Sequence, residues 1–173
     1  IQIISGERVA LTGMNGSGKT TLIKIILNIL EPQVGTVYRA ENNWIYIDQD
    51  YSLIDNHLSV YEQAQRYNGS AFHDHEIKIR LTRFLFTTEF WDKSCAALSG
   101  GERMRLMLCC LTIGSQSPDL IILDEPTNNL DIQNIEILTA AIKKYRGTLI
   151  VVSHDAFFLE QINITSIVEL KAR

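Results

Sequence analysis

The sequence predicts an α/β fold built on a mostly parallel sheet, and three observations support this. Short runs rich in Ile, Val and Leu alternate with helical patterns, which is the order of a parallel α/β sheet. The runs are almost entirely apolar, which predicts buried strands. The chain has 173 residues, 46% of them hydrophobic and 21% charged, which suits one globular domain. The predicted strands are Val9–Leu11, Trp44–Ile47, Leu120–Leu123, Leu149–Val152 and Ile167–Leu170.

Three helices are predicted from apolar residues that recur at helical spacing. The first covers Thr20–Leu30 and is apolar nearly all round, so we expect it to be buried. The second covers Arg103–Ile113, and the third is marked by Ile135, Leu138 and Ile142.

Two segments depart from this alternation. Ile1–Ile4 and Arg8–Thr12 flank a Ser-Gly-Glu turn, which predicts a β-hairpin and an antiparallel edge on the sheet. Residues 50–97 are more polar and show helical patterning without a convincing strand. We therefore predict an α/β core formed by residues 1–49 and 98–173, with 50–97 as an inserted helical subdomain.

The charge balance and the cysteines exclude several classes of protein. Sixteen Lys and Arg against twenty Asp and Glu give a net charge of −4, which argues against a dedicated DNA-binding or anionic-membrane protein. Three cysteines without a Cys-x-x-Cys pair form neither a disulfide framework nor a zinc knuckle, so they read as small core residues in a cytoplasmic protein. No apolar run approaches the roughly 20 residues of a membrane helix.

A glycine-rich loop follows the first predicted strand. The residues from Gly13 to Thr20 have the spacing G-x-x-x-x-G-K-[ST]. Glycines let successive backbone N–H groups point into one concavity, and the following helix adds partial positive charge there. Lys19 can reach the β- and γ-phosphates of a nucleotide, and Thr20 can offer its hydroxyl to Mg²⁺. The loop therefore predicts a site for a nucleotide triphosphate with Mg²⁺.

Two carboxylates follow the apolar strand Leu120–Leu123, namely Asp124 and Glu125. In a parallel sheet this strand end faces the ligand crevice. Adjacent carboxylates there repel unless a cation or a proton lies between them. We predict that Asp124 joins the Mg²⁺ shell through water and that Glu125 polarises the attacking water.

Three other positions have a structural and a functional interpretation. Ser99 and Glu102 have capping-box spacing, so Ser99 either caps the second helix or presents its hydroxyl and the free N–H groups of that helix to a phosphate. His154 follows a strand and is either structural or a donor to the γ-phosphate. Gln49 follows Trp44–Ile47 and could coordinate Mg²⁺ or hold water.

Together these motifs resemble the nucleotide-binding domain of ATP-binding-cassette (ABC) proteins, in the order of that family and along nearly the whole chain. They are the Walker A loop Gly13–Thr20, the Q-loop Gln49, the signature Leu98–Glu102, the Walker B strand Leu120–Asp124 with Glu125, the D-loop Asn128–Asp131 and the switch histidine His154. Three details resemble the ABC-F branch, soluble proteins with two cassettes in tandem. They are Glu125–Asp131, Gly100–Arg105 and Ser153–Leu159.

The resemblance implies a P-loop NTPase fold and hydrolysis of MgATP by paired cassettes. It implies ATP contacts from Gly13, Asn15, Gly16, Ser17, Gly18, Lys19, Thr20 and Thr21, and in trans from Ser99, Gly100, Gly101 and Asp131. It implies Mg²⁺ contacts from Thr20, Gln49 and Asp124. Catalysis is assigned to Glu125 as the base, with His154 and Gln49.

The resemblance also implies partners. The first is a second cassette, in the same chain or as a homodimer, and the second is the ribosome, reached through segments outside these residues. Direct DNA binding is not expected. The alternative is an ATP-binding subunit that energises a membrane transporter.

Two features point to a fragment. The chain starts without Met, and Ile1–Thr12 has no aromatic residue of the kind on which the family stacks adenine, so we expect weakened ATP binding. Residues 50–97 have no long charged hairpin, which predicts a second rather than a first cassette.

Overall fold

A computed structural model, which describes residues 1–69 and 71–171, contains a five-stranded sheet. The strands are β1 (Arg8–Gly13), β2 (Trp44–Ile47), β3 (Leu120–Asp124), β4 (Thr148–Val152) and β5 (Ser166–Leu170). They lie in the order β2-β3-β4-β1-β5, and each neighbouring pair is parallel. The predicted fold class and the five predicted strands are confirmed.

The helices complete two compact units. They are α1 (Lys19–Ile26), α2 (Val60–Arg66), α3 (Asp74–Arg83), α4 (Gly100–Ile113), α5 (Ile132–Lys144) and α6 (Ala156–Gln161). The sheet unit contains Ile1–Asp48, Pro118–Thr127 and the chain from Tyr145 onward, and the helical unit contains Gln49–Ser117 and Asn128–Lys144. In the described part of the chain, no helix is long and apolar enough to cross a membrane. The predicted domain boundaries stay a prediction. Residues 70, 172 and 173, which belong to the predicted domains, lie outside the described residues.

One face of the sheet packs against α1. Alternate strand residues point to the same face, and on this face they form a buried cluster with two residues of α1. The cluster contains Val9, Leu11, Ile23, Leu27, Leu120, Ile122, Ile150 and Val152. Strand residues between them, including Ala10, Ile121 and Val151, are buried as well. Burial on both faces explains why the inner strands β1, β3 and β4 are rich in apolar residues. The prediction that all five strands are buried is wrong for the edge strands β2 and β5, where Trp44 and Ile167 are 40% and 68% exposed.

The first helix is shorter than its apolar pattern predicts. It ends at Ile26, because Asn28 adopts a left-handed conformation with φ 60°. The N–H of Ile29 donates to Lys24 O at 2.8 Å, and the N–H of Asn28 donates to Ile25 O at 3.2 Å. These bonds form a Schellman termination. Ile29 and Leu30 therefore lie beyond the helix and are 61% and 45% exposed, so the predicted helix to Leu30, buried all round, is wrong.

The predicted N-terminal hairpin is also wrong. Ile1–Ile4 forms no strand, and the backbone N–H of Ile4 donates instead to the Glu7 carboxylate at 3.0 Å. The physical reason lies in β1, which has β4 on one edge and β5 on the other. With both edges of β1 occupied, Ile1–Ile4 has no ladder to join, and the described sheet has no antiparallel edge.

Residues 50–97 are helical as predicted. Their described residues form α2, α3 and two short 3₁₀ turns, Thr88–Phe90 and Cys95–Ala97. The helical unit also holds the three free cysteines, Cys95, Cys109 and Cys110, all buried. Burial raises the pKa of Cys95 to about 11 and that of Cys109 to about 12. These thiols stay protonated at neutral pH and act as core residues, as predicted.

Candidate active site

The glycine-rich loop connects β1 to α1. Its first glycine, Gly13, has φ 140°, and a Cβ there would contact the carbonyl oxygen of Leu170 and lie 2.7 Å from Ser17 Oγ. Gly18 is the N-cap of α1 in the left-handed conformation, and no side chain caps that helix. The N–H groups of its first turn therefore remain available to an anion.

Lys19 and Ser17 place a cation and a hydroxyl in the loop. Lys19 Nζ donates to the carbonyl oxygens of Gly13, at 2.7 Å, and Met14, at 3.1 Å. Ser17 Oγ is buried and lacks a hydrogen-bond partner among the described residues. A buried polar group left unsatisfied costs about 1–3 kcal/mol, and a phosphate oxygen is an acceptor that would remove this penalty. The loop thus fits a phosphate group.

The phosphate loop, Asp124 and the segment that contains His154 all begin at the ends of neighbouring strands. Gly13 ends β1, Asp124 ends β3 and Ser153 follows β4, and β4 lies between β3 and β1. Because these strands are parallel, their carboxyl ends lie at one edge of the sheet. Asp124 pairs with Val152, which pairs with Leu11.

Glu125 has an unusual backbone conformation. Its φ is 49°, in the left-handed region, which costs a non-glycine residue about 1–3 kcal/mol and is concentrated at functional sites. The conformation is fixed by a hydrogen bond of 2.8 Å from its N–H to the carbonyl oxygen of Val152. The Glu125 side chain is 17% exposed. The hydrogen bond to β4 therefore fixes the backbone of Glu125 at this edge of the sheet.

His154 lies directly against Glu125. Its Nε2 is 3.3 Å from Glu125 Oε1, and its side chain is 60% exposed. Asp155, next in sequence, caps α6 by accepting a hydrogen bond from the N–H of Phe158 at 2.9 Å. The histidine thus lies between the end of β4 and the start of α6, beside the proposed base.

Sequence reasoning missed one polar contact at this edge. Tyr46 of β2 donates a hydrogen bond from its hydroxyl to Asp124 Oδ2 at 2.9 Å. Neither residue type nor spacing could have indicated it, since the two residues are 78 positions apart and meet only through the pairing of β2 with β3.

In the helical unit, Ser99 caps α4. Its Oγ accepts from the N–H of Glu102 at 3.3 Å, and its own N–H donates to Glu102 Oε2 at 2.7 Å. The capping interpretation is confirmed, while the contact of Ser99 with a phosphate stays a prediction. Gln49 also belongs to this unit, two residues beyond the end of β2, and is exposed.

Inside the helical unit, Asn134 of α5 connects the D-loop with the signature helix α4. Asp131 Oδ1 accepts from the N–H of Asn134 at 2.8 Å at the start of α5. The Asn134 side chain is 6% exposed and accepts from Arg105 of α4 at 3.1 Å. A Cβ at Gly101 would collide with that amide. Gly101 therefore permits the close approach of α4 and α5.

This approach gives a stability prediction for Gly101→Ala. We expect the variant to be destabilised by roughly 1–3 kcal/mol, the usual result of overpacking, because Arg105 holds the Asn134 amide in place. Urea unfolding of the intact protein measures the change. Gly100→Ala is the matched control, since among the described residues none outside its own helical turn and chain neighbours lies within 4 Å of a Cβ at Gly100. Equal stability of the two variants would contradict the packing argument.

The parallel sheet and its phosphate loop define a P-loop nucleotide-binding protein. The family model described as "ABC transporter" matches residues 1–128, and the chain belongs to this family. It is 39% identical over 167 residues to the probable ATP-binding protein YbiT of Escherichia coli O157:H7, covering 95% of this chain and 31% of YbiT. It is 36% identical over 174 residues to ABC transporter F family member 5 of Arabidopsis thaliana, covering 99% of this chain and 25% of that protein. The predicted ABC-F resemblance is confirmed, and the chain spans about a third or less of these relatives.

Solved structures agree with the fold. An archaeal ribosome recycling factor, in complex with a ribosomal stalk protein, has a TM-score of 0.70 and 27% identity, covering 91% of this chain and 31% of its own. An inward-facing metal-chelate type ABC transporter has a TM-score of 0.69, covering 92% of this chain and 68% of its own, and at 22% identity it shows the fold alone. The predicted P-loop NTPase fold is therefore confirmed.

Proposed function

We propose that this chain is an ATP-hydrolysing cassette of an ABC-F-type ATPase. The observation that carries the proposal is the edge of the sheet. There, a phosphate loop with an unpartnered buried hydroxyl at Ser17 shares the edge with Glu125, a carboxylate fixed in a left-handed backbone conformation. Phosphate binding and activation of water are the two tasks that ATP hydrolysis requires of a protein.

Binding is assigned to the loop. The N–H groups at the start of α1 and the Lys19 ammonium hold the phosphates, and Ser17 Oγ donates to a phosphate oxygen. Thr20, Asp124 and Gln49 would hold Mg²⁺, which would supply positive charge beside the bound phosphates. In the described chain no cluster of three His, Cys, Asp or Glu side chains is available to a metal. Mg²⁺ in proteins is usually bound by one or two carboxylates together with substrate phosphates, so a site with one carboxylate and the nucleotide phosphates suits it.

The chemical step is assigned to Glu125. Its carboxylate takes a proton from water as the water oxygen bonds to the γ-phosphorus and the bond to the leaving ADP oxygen breaks. His154, with Nε2 at 3.3 Å from Glu125 Oε1, orients the carboxylate and donates to a γ-phosphate oxygen. The products are ADP and phosphate.

The helical unit supplies the residues for a second site. Ser99, Gly100 and Gly101 at the start of α4 contact the ATP held by an opposing cassette, and Asp131 couples the two sites. The Asp131–Asn134–Arg105 contacts support this assignment, because they connect the D-loop with the signature helix inside one cassette. In this proposal, ATP hydrolysis requires two paired cassettes.

The process that hydrolysis drives is proposed to involve the ribosome in the cytoplasm. Two observations support it: relatives that belong to the ABC-F group, and structural similarity to an archaeal ribosome recycling factor. In this proposal, translation or protection of the ribosome from antibiotics is the output. The alternative output is transport, in which the cassette serves a membrane subunit.

The test measures ATP turnover by the intact protein with and without purified ribosomes, together with ribosome pelleting at several salt concentrations. We expect ribosomes to stimulate turnover and to retain the protein at physiological salt. Absence of turnover under every condition would remove the ATPase proposal. Turnover that ignores ribosomes and rises on reconstitution with a membrane subunit would replace the ribosomal output with transport.

A further inference from the structure

Tyr46 and Asp124 lie on the same face of two neighbouring strands. Tyr46 is paired with Ile122 in the β2–β3 register, and Asp124 is two residues beyond Ile122, so its side chain points to the same face. The Tyr46 ring is partly buried against the sheet core that α1 covers. From this position the hydroxyl donates to Asp124 Oδ2 at 2.9 Å.

The contact restricts the Asp124 carboxylate. One of its oxygens, Oδ2, accepts the Tyr46 hydrogen bond, so rotation of the carboxylate about its last bond would break that bond. A hydrogen bond to a charged acceptor is about twice as strong as a neutral one.

We propose that Tyr46 is a positioning residue for Mg²⁺. Its hydroxyl orients the Asp124 carboxylate so that Oδ1 faces the cation and its water shell. This inference rests on the proposed function, since it assigns Asp124 to Mg²⁺. Carboxylates that bind metals are themselves held by hydrogen bonds from neighbouring groups, and removal of such a partner typically weakens metal binding or activity about 10- to 100-fold. The ring is anchored in the sheet core, so its hydroxyl is a rigid rather than an adaptable donor.

The test is Tyr46→Phe in the intact protein, because this change removes the hydroxyl and leaves the ring. A fluorescent ATP analogue is titrated once in EDTA and once with increasing Mg²⁺, and bound Mn²⁺ is measured by electron paramagnetic resonance. We expect the apparent affinity for the divalent cation to fall about 10- to 100-fold and nucleotide binding in EDTA to stay unchanged.

Tyr145→Phe is the matched control. The Tyr145 hydroxyl donates to the carbonyl oxygen of Pro118 at 2.8 Å, near the opposite ends of β3 and β4 from Asp124. Its loss tests a partly buried tyrosine hydrogen bond without changing the proposed metal site. We therefore expect wild-type cation affinity, and the unfolding temperatures of the two variants are compared.

Two results would overturn the inference. The first is wild-type affinity for Mg²⁺ and Mn²⁺ in Tyr46→Phe. The second is an equal loss of nucleotide binding with and without the cation, which would indicate a general structural role. Failure of the proposed function looks different, because the wild-type protein itself would then show no cation-dependent binding of the nucleotide.

Discussion

Replacement of Lys19 by Ala is expected to weaken ATP binding by about 10- to 150-fold, the equivalent of a hydrogen bond to a charged group at about 1.5–3 kcal/mol. Lys19 Nζ lies at the Gly13 and Met14 carbonyls, so its charge is already held in the loop before nucleotide arrives. The variant loses this charge where the β- and γ-phosphates are proposed to bind. Because ATP is proposed to join two cassettes, the ATP-dependent dimer of cassettes should be lost as well.

Calorimetry with ATP and Mg²⁺ measures this change in the intact protein, and light scattering measures the dimer. Lys24→Ala is the matched control, since Lys24 is exposed in the last turn of the same helix and should bind ATP like the wild type. If Lys19→Ala and Lys24→Ala bind ATP equally well, the loop is not the phosphate site.

The strands could be predicted from the sequence because the signal is local. A strand buried on both faces needs apolar residues at every position, and Leu120–Leu123 and Leu149–Val152 have them. The start of α4 could be predicted for the same reason. Ser99 and Glu102 satisfy each other's backbone within one turn, so their spacing alone carries the information.

The two fold errors have different causes. The end of α1 had a local signal, because Asn is common at the left-handed position that ends a helix. The apolar pattern concealed this signal, since two more apolar residues follow Asn28. The hairpin error was not local. β1 pairs with β5 through Val9 and Ser166, far apart in sequence, and no short-range pattern shows that this edge is taken.

The candidate site divides in the same way. The phosphate loop and Asp124 were accessible to sequence reasoning, because each depends on residue types at a fixed spacing or at a strand end. The strained backbone of Glu125 and the Tyr46–Asp124 bond were not accessible, because both arise from pairing between strands. The sequence could thus identify the groups proposed to bind and react, while the groups proposed to orient them required the fold.

Replacement of Glu125 by Gln is expected to reduce ATP hydrolysis by roughly 10²–10⁴-fold, the usual contribution of positioned acid–base catalysis. The amide keeps the size of the side chain but cannot accept the proton of water. Gln tolerates the left-handed backbone no better and no worse than Glu, and the hydrogen bond from the N–H of residue 125 to Val152 O does not involve the side chain. ATP binding should hold or tighten, because one negative charge near the triphosphate is removed.

Glu125→Gln and Lys19→Ala are expected to differ in whether a dimer forms in the presence of ATP. If ATP binds and is not cleaved, it persists between the loop and the opposing Ser99, so a dimer should accumulate with Glu125→Gln and disappear with Lys19→Ala. Turnover and light-scattering mass are measured with ATP and Mg²⁺, with Glu160→Gln as control because Glu160 is exposed on α6. Wild-type turnover by Glu125→Gln would show that Glu125 is not the base. Hydrolysis would then depend on a substrate phosphate oxygen as the proton acceptor, with His154 as the group that orients it.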